Sequence, residues 1–326
     1  MEKLVGYCYP HARGEGLDLC NKLMTFAVLV DDQIDGNSRA DSRSCSLAVQ
    51  PFLDTLHANG QPPARSNPLC QVFGEILRES RAATSPAWWA RAAADWEYYF
   101  HSVVHERNDP ILRGSAPGPV DVYLEIRRGT GVMGPMLDIL EPGAGFEAPP
   151  LMFHSPQLRL MRRLVVDMVD FLNDVFSLEK EIARGEHSNI VLVLQAARNL
   201  SLVKAEAAAR SLIQQHARRF LDLKEELSEA CLTMSLEEPQ RGATLQYADA
   251  LEMWVAGFEP WQRQSPRYLD ALSERPPDGP WARDDLLGRR PAGQGANARA
   301  EQPSYGDEEP ASARLVDRCT GSEGET

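Results

Sequence analysis

The chain has 326 residues, 43% hydrophobic and 25% charged, the composition of a soluble globular protein with a sizeable core. Its 34 Lys and Arg against 47 Asp and Glu give a formal net charge of −13, which argues against nucleic acid or an anionic membrane as partner and leaves room for divalent cations where carboxylates cluster. No run approaches the roughly 20 apolar residues of a membrane helix, the N-terminus lacks a signal-peptide core, and the six scattered cysteines form no CxxC pair, so they read as free thiols of a cytoplasmic protein.

Helical periodicity dominates along the chain. Residues 17–34 form an apolar-rich helix that ends in an acidic cluster, and 46–59 and 68–84 are amphipathic. Residues 86–106 follow Ser85 as N-cap, with Pro86 at the first helical position. Residues 120–126 continue helically into a glycine-broken stretch, and 155–184 form a long helix opened by Ser155-Pro156. Segments 189–199, 201–229 and 239–257 complete the set. No run alternates with period two between hairpin turns, so the expected fold is an all-α bundle. From Arg275 onward the composition turns to Pro, Gly, Ser, Ala and charge, with few strongly apolar residues, among them Trp281, Leu286 and Leu287. Residues 273–326 are therefore expected as a disordered tail, with a short helical attempt at 282–287, and 1–272 as one folded domain.

The helix over 17–34 carries the first chemical signal. Its run Leu23-Met24-Thr25-Phe26-Ala27-Val28-Leu29-Val30 belongs in a core, yet Asp31-Asp32-Gln33-Ile34-Asp35 follows at once. Negative charge is disfavoured at a helix C-terminus. Asp31 and Asp35 are four apart and share a face, so paired carboxylates at the mouth of an apolar pocket require a counter-cation. Mg²⁺ suits oxygen ligands and binds through one or two carboxylates plus substrate phosphate. The ordinary alternative is a solvated last turn.

The second signal lies on the long helix, where Asn173, Ser177 and Glu181 fall at i, i+4 and i+8. With about 3.6 residues per turn each step drifts only about 40°, so the three side chains form a nearly straight stripe. Amide oxygen, hydroxyl and carboxylate are hard donors fit for one Mg²⁺, and Lys180 is placed to meet an anion bridged by it. The alternative is the polar stripe of an amphipathic helix, against which stand the large apolar residues Val169, Phe171, Leu172, Val175, Phe176 and Leu178 around it.

Asp31-Asp32-Gln33-Ile34-Asp35 and Asn173-Asp174-Val175-Phe176-Ser177-Leu178-Glu179-Lys180-Glu181, in this order, resemble the two metal-binding motifs of bacterial class I terpene synthases. Within that family the resemblance leans toward pentalenene synthase-like sesquiterpene cyclases. In Tyr123-Leu124-Glu125-Ile126-Arg127-Arg128-Gly129-Thr130-Gly131-Val132-Met133-Gly134-Pro135, glycines and a proline interrupt a helix and free backbone carbonyls. The resemblance assigns Arg127 as diphosphate sensor, Thr130 as linker and Gly131 as effector. Trp254-Val255-Ala256-Gly257-Phe258-Glu259-Pro260-Trp261, followed by Arg267-Tyr268, resembles the family's C-terminal tryptophan segment and Arg-Tyr pair.

The resemblance implies Mg²⁺-dependent ionisation and cyclisation of a prenyl diphosphate, farnesyl diphosphate foremost, to a sesquiterpene with release of diphosphate. It implies three Mg²⁺ ions. Asp31, with help from Asp35, would anchor two, and Asn173, Ser177 and Glu181 would hold the third. Arg127, Lys180, Arg267 and Tyr268 would bind diphosphate oxygens. Phe26, Phe171, Trp254 and Trp261 are the expected pocket lining, with Trp96 and Tyr99 as further candidates, because aromatic faces stabilise cations without acting as nucleophiles. Where the family pattern has an aromatic pair ahead of the aspartates, this chain has Ala27 and Val28, so a wider pocket is expected there. The implied protein is cytoplasmic, a monomer or homodimer with a small-molecule substrate and neither nucleic acid nor membrane as partner.

Two other readings compete. A chain-elongating prenyltransferase shares the helical fold but carries a second aspartate-rich motif, where this chain has Asn173, Ser177 and Glu181. The other is a catalytically impaired or inactive helical remnant: Asp31 lies nearer the start than the first motif usually does, so the domain is expected to be N-terminally short and its cavity open to water. His101 and His105 are four apart, but HSVVHE is not the HExxH of a zinc site.

Overall fold

A computed structural model describes residues 2–35, 42–108, 117–265, 268 and 286–287, all within one compact unit spanning 1–289. Thirteen α-helices and no strand occur among the described residues. In chain order they are α1 (Glu2–Cys8), α2 (Gly14–Asp35), α3 (Ser42–His57), α4 (Pro68–Ala82), α5 (Pro86–Asn108), α6 (Val120–Thr130) and α7 (Met133–Asp138). The short α8 (Leu140–Ala144) and α9 (Pro150–Phe153) lead to the long α10 (Pro156–Arg184), and α11 (Ile190–Arg198), α12 (Leu202–Thr233) and α13 (Glu238–Gln264) complete the bundle. No described helix is long and apolar enough to cross a membrane.

Side-chain caps set several starts. Asn67 accepts from the Cys70 N–H at 2.8 Å, Ser155 from Leu158 at 3.2 Å and Asn189 from Val191 at 2.9 Å. Each cap satisfies one of the orphan donors of a first turn. The expected helices from 17 to 257 all form, with one clear difference; the short attempt at 282–287 lies outside the described residues except for 286–287. α13 runs past the expected end at 257 to Gln264, with Pro260 inside it. Gly257 is no stop here but a contact point, because a Cβ on it would lie 2.3 Å from the Tyr7 carbonyl oxygen, and α1 packs along α13 at that place.

α10 is the central element and packs on α12, α13, α11 and α6. The main core runs through both halves of the chain and contains an aromatic stack in which Phe26 lies on Phe73 at 5.1 Å and Phe52 on Phe100 at 5.2 Å. A second cluster joins Tyr123, Phe171, Val175 and Leu178 to α11. Leu287 is buried in the main core, and the Leu286 N–H donates to Gln33 Oε1 at 3.2 Å. That pair of the expected tail therefore lies against the end of α2, and the other residues of 273–326 lie outside the described ones. Cys8, Cys20, Cys45, Cys70 and Cys231 are buried and in the thiol form, outside any disulfide. Burial pushes the thiols of Cys20 and Cys70 up to about 12, which keeps them protonated and unreactive at neutral pH.

Buried charge ties α5, α7, α8, α10 and α13 together. Arg162 of α10 donates to Asp95 Oδ2 at 2.8 Å and to the Tyr247 hydroxyl, and stands 3.0 Å from Asp138 Oδ1. Arg91 meets both oxygens of Glu141 at 2.6 Å. Burial raises the Asp138 carboxyl, with Asp95 adding to the rise and Arg162 opposing it. Removing one partner from such a cluster leaves uncompensated buried charge, so Arg162→Met is expected to cost about 3–5 kcal/mol, read as a lowered urea midpoint at unchanged m-value.

Candidate active site

The stripe expected on α10 forms. The Ser177 hydroxyl stands 2.8 Å from the Asn173 main-chain oxygen and 2.6 Å from Glu181 Oε1; with one proton it donates to one of them at a time. Glu181 Oε2 accepts from Asn189 Nδ2 at 2.8 Å, and the same amide group donates to the Asp174 carbonyl at 2.7 Å. Asn173 Oδ1 accepts from Arg127 Nη2 at 2.9 Å, and its Nδ2 donates to the Tyr268 hydroxyl at 2.8 Å. Burial, helped by the charge of Asp174, pushes the Glu181 carboxyl up to about 7. A carboxyl held that high gains from a cation beside it.

Behind the stripe lies Asp174, 1% exposed. It accepts from the Tyr123 hydroxyl, from Arg127 Nε at 3.1 Å and from the Ile190 N–H at 2.7 Å. Burial raises its pKa and Arg127 opposes the rise. Burial alone would lower Arg127, but the charge of Asp174 leads the contributions that outweigh it and hold the guanidinium firmly charged. Arg128, next in sequence, grips Asp167 with two hydrogen bonds at 2.6 and 2.9 Å, and His216 stands 3.3 Å from the same carboxylate.

The break expected after Arg127 is present. α6 ends at Thr130, which is buried, and the Gly131 N–H bonds the Arg127 carbonyl at 3.0 Å. Val132 has φ 56° before α7 begins at Met133. The left-handed region is strained for a β-branched residue and persists only where the surroundings impose it.

The first motif closes α2. Asp31 is half-buried and Asp32 buried, and Asp35 is the last residue of the helix. The Ile34 carbonyl accepts from Arg107 Nη2 at 3.5 Å, and the neighbouring Glu106 accepts from the Ser188 hydroxyl at 3.4 Å. The last turn of α5 thus links the end of α2 to the loop before α11, whose Asn189 holds Glu181.

The remaining expected residues divide. Lys180 is half-buried beside Glu181, and Arg267 lies outside the described residues. Trp261 meets Tyr268 edge-on at 5.7 Å, and Trp254 reaches it through Phe258 at 5.4 Å. Phe26 packs among Phe52, Phe73 and Trp96, and Phe171 packs in the second cluster, 5.7 Å from the His216 ring. Sequence reasoning missed Asp174, Tyr123, Asn189 and Phe176, which lies 6.1 Å from the Tyr268 ring. Asn189 carried a signal as an N-cap residue at the start of an apolar run, while Asp174, Tyr123 and Phe176 lay inside the motifs without an assigned role.

Among the described residues no group of three His, Cys, Asp or Glu is placed to hold a metal. The α10 stripe offers an amide oxygen, a hydroxyl and a carboxylate, a donor set whose chemistry fits Mg²⁺.

Comparison with known proteins agrees with this geometry. The family model for "Terpene synthase family 2, C-terminal metal binding" matches residues 22–219. The chain is 33% identical over 264 residues to pentalenene synthase of Streptomyces arenae, covering 80% of this chain and 77% of that one. It is 32% identical over 292 residues to a (−)-beta-caryophyllene synthase of Saccharothrix espanaensis, covering 88% and 81%. The solved structure of germacradien-4-ol synthase from Streptomyces citricolor superposes with a TM-score of 0.72 at 32% identity, over 81% of this chain and 83% of that one.

The hub at Asp174 gives a test. Asp174→Ala leaves Arg127 and Tyr123 buried without their acceptor and is expected to cost about 3–5 kcal/mol, measured by chemical unfolding. A loss below about 1 kcal/mol would show that α6 is held by other contacts.

Proposed function

The chain belongs to the class I terpene synthases of the bacterial type, and from that premise we propose that its substrate is farnesyl diphosphate, which it cyclises to a sesquiterpene with release of diphosphate. One observation carries the reading. Arg127, the Asn173–Ser177–Glu181 stripe and Tyr268, from three separate stretches of the chain, join in one hydrogen-bonded array.

The physical problem is to make diphosphate leave without offering water to the cation left behind. Arg127, kept charged by Asp174, would bind the leaving oxygens, with Lys180, Arg267 and Tyr268 as its proposed partners in that role. Family membership implies dependence on Mg²⁺. Asp31 with Asp35 would hold two ions and Asn173, Ser177 and Glu181 a third, and when bound they neutralise charge as it develops on the leaving group. The Arg127 carbonyl is bonded directly to the Gly131 N–H at 3.0 Å, so a shift of the sensor on meeting diphosphate is passed to Thr130 and Gly131 within one turn. Phe176 and Trp261 each meet Tyr268 edge to face, and the Tyr268 hydroxyl accepts from Asn173; these rings would stabilise a carbocation and keep water out. The reading carries with it a cytoplasmic monomer or homodimer without nucleic acid or membrane partners. An inactive remnant and a chain-elongating prenyltransferase gain nothing from these relatives, both synthases by name and one named as cyclising (2E,6E)-farnesyl diphosphate.

Incubation of the purified chain with Mg²⁺ and geranyl, farnesyl or geranylgeranyl diphosphate, followed by gas chromatography, is expected to give a sesquiterpene from the farnesyl substrate and nothing after chelation. No volatile product and no released diphosphate from any of the three would overturn the reading. Asn173→Ala and Glu181→Ala are each expected to lower turnover by about 100-fold or more; full activity in both would reduce the row to a polar stripe.

A further inference from the structure

The break between α6 and α7 is touched by a residue that no step above uses. Asp170 of α10 is 3% exposed. Its Oδ1 occupies the space where a side chain on Gly131 would begin: a Cβ there would lie 2.4 Å from Oδ1 and 3.1 Å from Cγ. Its Oδ2 is buried without a hydrogen-bond partner, a costly arrangement that native proteins keep at few positions. The next residue along the break is Val132, buried and left-handed at φ 56°. Two departures from ordinary packing, an unpartnered carboxyl oxygen and a strained β-branched residue, therefore meet at the glycine that follows Thr130.

We propose that Asp170 is a positioning residue for the cyclisation: its carboxyl, seated against Gly131, fixes the sharp turn between α6 and α7 and with it the direction in which the Gly131 main chain faces the substrate. The seat explains why position 131 takes glycine, since any side chain there must displace the carboxyl. The surroundings favour a neutral acid. Burial, opposed by Arg127 and reinforced by Asp174 and Asp167, pushes Asp170 up to about 8. In that form it does not compete with Asp174 for Arg127, and the guanidinium stays available to diphosphate.

The inference rests on the cyclase reading, and the test separates the two. Asp170→Ala, Asp170→Asn, Gly131→Ala and the double variant Gly131→Ala with Asp170→Ala are compared with the parent chain on farnesyl diphosphate and Mg²⁺. Asp170→Ala is expected to keep KM within about threefold, lower kcat about tenfold and shift the products toward acyclic and early-cyclised compounds. Asp170→Asn, which keeps the shape, retains the parent product spectrum. Gly131→Ala is expected to lose about 100-fold, of which the double variant recovers about tenfold. Parent kcat and products in Asp170→Ala, or a double variant no better than Gly131→Ala, overturns the proposal. A parent chain without turnover overturns the cyclase reading instead, and thermal unfolding then decides the seat. Gly131→Ala should lower the melting temperature less when Asp170 is already alanine, and equal shifts in both backgrounds overturn it.

Discussion

A carboxylate taken out of water must have its lone pairs met inside the protein, and Asp174 is where this bundle satisfies that rule. Its side-chain partners are Tyr123 and Arg127 from α6 and the Ile190 N–H from the start of α11, and its main-chain carbonyl takes the Asn189 amide. The approach of α6 to α10 and the start of α11 are therefore set by one residue. The site inherits both. Arg127 lands beside Asn173 because it is held on Asp174, and Asn189 can grip Glu181 because its other hydrogen lies on the Asp174 carbonyl.

The same helix anchors the far side of the break. Arg162, about three turns before Asp174 at about 3.6 residues per turn, holds Asp138 at the end of α7 at 3.0 Å, while Asp174 holds Arg127 near the end of α6 at 3.0 Å. Gly131 and Val132 lie between these two ion pairs. Both ends of the break are fixed to one rigid element, so the chain between them has little freedom left. Strain at a single residue persists when its surroundings over-determine it, and two buried ion pairs on one helix are such surroundings for Val132. The two ion pairs thus hold the ends of the left-handed turn at Val132, while the Asp170 carboxyl fills its inside at Gly131.

The sequence shows those parts whose cause is local. Period and capping residues place the long helices, because both act within a turn or two. The stripe of Asn173, Ser177 and Glu181 is visible for the same reason, since i, i+4 spacing alone aligns it. Parts with a distant cause are hidden. Gly257 and Pro260 read as a helix end, and only the contact with the Tyr7 carbonyl shows that the glycine serves packing inside α13. α7, α8 and α9 have four to six residues each, too few for a period to appear. Asp174 sits inside the recognised motif, yet its role depends on Tyr123 and Arg127, which are far away in sequence. Phe26 illustrates the converse limit: an aromatic on an apolar helix has one pattern whether it lines a pocket or stacks on Phe73.

The acid excess noticed in the composition has a local counterpart in residues 167–181 of α10, where five acids stand beside Lys180 alone, although the whole helix carries five acidic and five basic residues. Asp167, Asp170, Asp174 and Glu181 lie on this one helix, against Arg127 and Arg128 from α6 and His216 from α12. Asp167 is spoken for by Arg128 and His216: burial would raise it, but their hydrogen bonds outweigh burial and hold it below the usual range. Asp174 takes Arg127. Glu179 is exposed, and of the acids shielded from solvent two are then left over, both pushed up, Asp170 to about 8 and Glu181 to about 7. They differ in depth. Asp170 is sealed under the break, where its charge is relieved only by keeping a proton. Glu181 is half-buried near the C-terminal end of the helix, where a hydrated cation can reach it and relieve the same excess. Charge imbalance along this stretch therefore yields two different settings, a sealed acid relieved by its own proton and a half-buried carboxyl that a cation can reach, and the burial of each decides which it is.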